Sequence, residues 1–159
     1  MQVRNESGRY FTELVTANAI GWLEGSLREN ASRPTFAYLA HESNHAPMEV
    51  PMSWIAEGCL KIPPANPTRR MLCGMMRAVD SSVHNMTGAY KRLGLWEQTV
   101  VIFSTDNGGN TDTGGNNSPL RGNKVPPKAW HTHGSCMGLD CCQRFWLNCN
   151  LDLRFVRGH

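Results

Sequence analysis

"TVVIFSTDNGG", residues 99 to 109, passes from a β-branched apolar run straight into a carboxylate, an amide and two glycines. The run reads as a strand, because Val, Ile and Phe suit a packed, pleated surface and the Asp-Asn-Gly-Gly cluster bounds it. Just upstream, Leu72, Met76, Val79, Val83, Met86, Tyr90 and Leu93 recur at steps of three and four, which predicts one long helix with a single apolar stripe. Arg77, Ser81, Asn85 and Lys91 lie off that stripe, and Gly94 stands where a helix would be capped.

Toward the N-terminus, residues 10 to 29 set Phe11, Val15, Ala19 and Trp22 or Leu23 at helical spacing, with Gly21 and Gly25 weakening the second half. TFAYLA, 35 to 40, is a short apolar run that reads as a buried strand and leads directly into HESNHAP. From Pro47 to Thr68 the prolines and Gly58 predict an irregular excursion with at most one helical turn. The order helix, strand, loop, helix, strand argues for an α/β layered fold with a largely parallel sheet, whose ligands gather outside the carboxyl ends of the strands. Both His45 and Asp106 would sit there.

The chain has 159 residues, within the range of one domain, and 16 basic against 13 acidic residues. The basic residues are scattered, which argues against a nucleic-acid partner. No apolar run is long enough for a membrane span, and MQVRNESGRY lacks the apolar core of a secretory signal. Six cysteines occur, at 59, 73, 136, 141, 142 and 149, and whether Cys59 and Cys73 pair is open at this level. Asn5, Asn30, Asn85 and Asn116 begin glycan-acceptor tripeptides, with Asn85 and Asn30 the candidates and Pro119 weighing against Asn116.

Asp, Asn and Gly are ordinary turn residues, so the corner after the strand needs no ligand to explain it. It also offers one anionic and one neutral oxygen side by side, the donors that a hard divalent cation prefers, although calcium takes six to eight. Arg121 and Lys124 follow, and cations there would suit an anionic substrate. His45 offers an imidazole able to donate a proton near neutrality, with His41 and Asn44 competing for any such role.

FAYLAHESNHAPMEVP (36–51), MMRAVDSSVHNMTGAYKRLGLWEQTVVIFSTDNGG (75–109) and GGNNSPLRGNK (114–124) resemble, in order, segments of the sulfatase family, most closely its arylsulfatase B-like branch. The resemblance covers about residues 10 to 124. It implies an alkaline-phosphatase-like fold, here incomplete, and hydrolysis of sulfate esters by a formylglycine nucleophile beside a bound calcium ion. By the same resemblance Asp106 and Asn107 match calcium ligands, and His45 and Lys124 match residues that contact the sulfate. The implied substrate is a sulfated glycan or an aryl sulfate, and the implied setting lysosomal or secreted.

The family's Cys/Ser-x-Pro-x-Arg nucleophile motif is missing. Ser32-Arg33-Pro34-Thr35-Phe36 has Phe36 in place of the arginine, Asn117-Ser118-Pro119-Leu120-Arg121 has Asn117 in place of the nucleophile, and no Asp-Asp pair occurs. After Lys124 the family pattern stops, and Cys136, Cys141, Cys142 and Cys149 with His131 and His133 lack the paired spacing of structural zinc sites. The expected organisation is therefore a partial sulfatase catalytic domain over 1–124 and a divergent Cys-rich tail over 125–159. The expected function is a sulfuric ester hydrolase fragment of arylsulfatase type, inactive alone. A non-catalytic binding protein on a sulfatase scaffold is the main rival, and a metal-dependent phosphodiesterase the other.

Overall fold

The computed structural model describes residues 7–119, 124 and 145–147. The chain divides into two compact units, the first running to Ala89 and the second starting at Tyr90.

The first unit opens with α1, Phe11–Glu29, which ends at an extended Asn30 whose N–H still donates to the Ser26 carbonyl. Its buried face is Thr12, Thr16 and Leu23. The expected apolar face is only partly right: Leu23 is fully buried, but Phe11 and Trp22 are 41% and 48% exposed. Two threonines take the inner positions because hydroxyls across from them satisfy their polar atoms. The side chain of Thr16 donates to the Thr12 carbonyl at 2.6 Å and meets Ser82 Oγ at 2.6 Å.

Residues 35–40 form neither a helix nor a ladder among the described residues, with Phe36 and Tyr38 86% and 83% exposed. The buried strand expected there is corrected: no strand forms, and among the described residues nothing covers the two aromatic rings. After it come a 3-10 turn, Met52–Trp54, and one turn of helix, α2, Glu57–Leu60. Three fastenings hold this excursion. Cys59 and Cys73 form a disulfide. Arg70 donates through Nε to the Ile62 carbonyl at 2.7 Å and through Nη2 to the Leu60 carbonyl at 3.2 Å, serving carbonyls at the end of α2. Trp54 Nε1 donates to Glu13 at 2.8 Å.

The long helix α3, Pro67–Arg92, begins on a proline, whose missing N–H costs nothing in a first helical turn. Its buried residues are Gly74, Met75, Ala78, Val79, Ser82, Met86 and Ala89. The stripe is thus rotated from the expected one, and Met76 is 42% exposed. Small residues define the inner face, since a cysteine bridge and close contacts draw this helix against the excursion. A Cβ on Gly74 would lie 3.2 Å from both Ile55 and Val50 side chains.

In the second unit the last turn of α3 closes at Gly94, which adopts φ 72°. The Gly94 N–H donates to the Lys91 carbonyl and the Leu95 N–H to the Tyr90 carbonyl, the paired bonds of a Schellman cap. A short 3-10 turn, Trp96–Gln98, follows, with Lys91 Nζ 4.9 Å above the Trp96 ring. Strand β1, Val101–Phe103, pairs antiparallel with β2, Phe145–Leu147, in the register Val101 to Leu147, Ile102 to Trp146 and Phe103 to Phe145. The expectation of a largely parallel sheet is corrected: the described sheet has two antiparallel strands. Alternation along β1 sends Ile102 to the opposite face from Val101 and Phe103, and that face is uncovered, leaving Ile102 68% exposed.

Candidate functional site

The acidic corner forms a clasped loop. One Asp106 carboxylate oxygen accepts the Asn107 N–H at 2.8 Å, and the Asn107 side-chain nitrogen donates to the Gly108 carbonyl at 2.7 Å. Further along, Asn117 pairs both halves of its amide with Gly109, accepting from its N–H at 2.7 Å and donating to its carbonyl at 2.8 Å. Asn110 caps the 3-10 turn Thr111–Thr113 by accepting from the Asp112 N–H. The returning chain then comes so near that a Cβ on Gly115 would lie 2.7 Å from the Asn110 carbonyl oxygen. Glycine is required at that crossing.

These bonds commit the Asn107 nitrogen and leave its carbonyl oxygen, with the second Asp106 oxygen, as the atoms able to meet a cation. Asp106 is exposed and Asn107 half-buried. Against the six to eight oxygens of a calcium shell, the two residues are an incomplete set. No group of three or more His, Cys, Asp or Glu side chains gathers among the described residues. The donor type fits calcium, and the described donors do not complete its shell.

In the first unit, His45 lies on the turn that follows residues 35–40. Its N–H donates to the Glu42 carbonyl at 3.1 Å, closing the turn, and Asn44 takes φ 76°, a left-handed conformation that asparagine tolerates. The ring is exposed, and His45 Nδ1 lies 2.7 Å from the Ala46 carbonyl. A carbonyl can only accept, so Nδ1 carries the proton and Nε2 is the nitrogen left for a ligand. The rivals in that segment have other tasks: Asn44 makes the turn, and His41 Nε2 meets Ser82 Oγ at 3.2 Å. Ser43 is hydrogen-bonded to Thr12 Oγ1 and lies 3.5 Å from the Tyr10 hydroxyl.

His45 belongs to the first unit, and Asp106, Asn107 and Lys124 to the second. Lys124 is exposed. Arg121, His131, His133, Cys136, Cys141, Cys142 and Cys149 lie outside the described residues. The candidate glycan acceptors Asn30 and Asn85 are both exposed, Asn85 on the outer face of α3. Sequence reasoning missed Asn117 and the hydroxyl group of residues around Ser82. Thr12 and Thr16, one helical turn apart on an inward face, were the available signal for the second.

Comparison with known proteins decides the family. The Sulfatase family model matches residues 2–133, a span containing His45, Asp106, Asn107 and Lys124. The chain belongs to the sulfatase family. It is 33% identical over 119 residues to Arylsulfatase J of Mus musculus, a match covering 75% of this chain and 19% of that protein. Among solved structures it is similar to Ps i-CgsB in complex with k-i-k-neocarrahexaose, at TM-score 0.67 and 30% identity over 73% of this chain and 25% of that one. The structure of Ps i-CgsB itself gives a TM-score of 0.60 at 28% identity, over 71% of this chain and 24% of that one. The sulfatase chain described here thus spans about a fifth to a quarter of the length of these relatives. Membership implies the alkaline-phosphatase-like α/β fold, of which the described residues, mostly helical, are a part. No helix among them is long and apolar enough to cross a membrane.

Proposed function

We propose that this chain is the part of an arylsulfatase-type sulfuric ester hydrolase that carries two calcium ligands, Asp106 and Asn107, and two sulfate contacts, His45 and Lys124. The observation that carries this reading is the single family match that runs through all four residues. Calcium, when bound, would neutralise and orient the sulfate group. His45, with its Nδ1 proton held by the Ala46 carbonyl, offers Nε2 to a sulfate oxygen and as an imidazolium donates to it. Lys124 offers a point charge to a sulfate oxygen.

The 159-residue chain has no formylglycine-type motif, so it lacks the covalent step, and the proposal is that it does not turn over sulfate esters alone. A sulfated glycan is the favoured substrate class, since the similar Ps i-CgsB was solved with k-i-k-neocarrahexaose. The Cys59–Cys73 disulfide supports an oxidising, lysosomal or secreted setting, in which Asn85 and Asn30 would be open to glycosylation. Boundaries at 1–124 for the partial catalytic domain and 125–159 for the tail belong to the same proposal.

The test is calorimetric titration of the chain with calcium, beside an aryl-sulfate hydrolysis assay. Weak calcium binding that Asp106→Ala abolishes, with no turnover, is the expected result. Turnover by this chain would overturn the inactivity, and calcium binding indifferent to Asp106→Ala would overturn the metal assignment.

A further inference from the structure

Three side chains in the first unit, Thr16, Ser82 and His41, form a line of hydrogen bonds ending on a main-chain carbonyl, and the direction of every proton in it can be assigned. Thr16 Oγ1 lies 2.6 Å from the Thr12 carbonyl, which can only accept, so the single hydroxyl proton of Thr16 is committed there. Thr16 therefore accepts in its 2.6 Å contact with Ser82 Oγ, and the proton of that bond is Ser82's own. Having spent its proton on Thr16, Ser82 accepts in the 3.2 Å contact with His41 Nε2. The N–H must come from His41.

We propose that this hydroxyl line fixes His41 as the neutral Nε2–H tautomer and makes it a positioning residue for His45. The two imidazoles of the HESNHAP segment then carry their protons on opposite nitrogens, Nε2 in His41 and Nδ1 in His45. His41 Nδ1 is buried and has no hydrogen-bond partner among the described residues, so a second proton there would find no acceptor among them. Burial also lowers the pKa of His41, in keeping with a ring kept neutral. Thr16 and Ser82 are almost wholly buried, 4% and 2% exposed, so water does not compete for these bonds.

The line ends on the loop that holds His45. His41 is tied at one side of the turn through Ser82, and Ser43 is tied nearer its apex through Thr12 Oγ1. Both anchors return to α1, because Thr12 and Thr16 are successive positions on its inner face. Since the turn that follows is closed by the His45 N–H to the Glu42 carbonyl, anchoring residues 41 and 43 sets the direction of the His45 ring. The positioning role rests on the reading of His45 as a sulfate contact; the tautomer does not.

The experiment is long-range proton–nitrogen correlation of the imidazoles in the full nitrogen-15-labelled chain above neutral pH. It is repeated on Thr16→Val and Thr16→Ser and followed, on the acid side of neutrality where an imidazolium can form, by titration with inorganic sulfate. In the wild type, His41 is expected wholly as the Nε2–H form. Thr16→Val removes the acceptor of Ser82's proton without touching His41, so that proton competes for Nε2 and the ring is expected to become a mixture of tautomers, the Nδ1–H form being held back because its proton finds no acceptor. Thr16→Ser keeps the line and the tautomer. Sulfate, read on the His45 ring protons, is expected to bind several-fold more weakly to Thr16→Val than to the wild type or Thr16→Ser. A wild-type His41 protonated on Nδ1, or evenly mixed, overturns the tautomer even if the valine variant does not fold. A tautomer change with unaltered sulfate affinity overturns the positioning role. No sulfate response at His45 in the wild type overturns the sulfate-contact reading and the positioning role with it, leaving the tautomer to stand on its own spectrum.

Discussion

The amide of Asn117 bonds both main-chain groups of Gly109, so one side chain takes the place of a neighbouring strand for the loop that carries Asp106 and Asn107. Replacing it should free that loop. Asn117→Ala removes two hydrogen bonds worth about 1 kcal/mol each. The Gly109 amide is expected to exchange its hydrogen about ten-fold faster or more, while amides in α3 keep their rates. Hydrogen exchange followed by NMR reads both.

Gly115 tests the same loop by shape rather than bonding. An added Cβ would stand 2.7 Å from the Asn110 carbonyl oxygen and 2.9 Å from the Gly109 carbonyl carbon, both of them backbone atoms that cannot turn aside. Gly115→Ala is expected to shift the backbone resonances of residues 108–117 and to lower calcium affinity further than Asn117→Ala does. Gly58→Ala, where a Cβ meets nothing within 4 Å, should leave the loop unchanged.

What the sequence revealed follows from which forces are local. The α3 helix and its Gly94 cap were legible because periodicity and a left-handed glycine act over a few residues. The face it buries was not, since the choice between Met75 and Met76 depends on what lies across from the helix. The burial of Thr12 and Thr16 depends on Ser43 and Ser82, partners remote in sequence, so local periodicity does not reveal it. The β-branched run at 99–105 was correctly read as extended, but strand pairing is a long-range property, and the antiparallel partner at 145–147 had no family pattern to reveal it. The candidates Asp106, Asn107, His45 and Lys124 are reached only through short motifs. Asn117, which clasps the loop carrying Asp106 and Asn107, stood out in the sequence only as a misplaced nucleophile position.

The Cys59–Cys73 bridge closes a loop of 14 residues' separation, for which chain entropy gives about 3 kcal/mol. Cys59 is fully buried, so a reductant reaches it only after local opening. The double variant Cys59→Ala, Cys73→Ala is expected to unfold on the order of 10 °C lower. Thermal unfolding with and without dithiothreitol checks this: the reductant should lower the wild-type midpoint toward that of the variant and leave the variant unmoved.

His41 should leave its mark on the pH dependence of stability. Its folded pKa lies below the ordinary 6.5 because burial disfavours the charged ring. Between the two values the unfolded chain binds more protons than the folded one, so stability falls as the solution is acidified. The contribution is complete above 6.5 and is lost as the pH drops through the lowered folded value. Its size is modest, because the ring is only part-buried and solvent screens it. Urea unfolding at pH 8 and pH 5 should therefore show a smaller loss of midpoint in His41→Gln than in the wild type. The glutamine amide can still donate to Ser82 but takes up no proton. An equal loss in both proteins would mean that His41 titrates alike in the folded and unfolded chain.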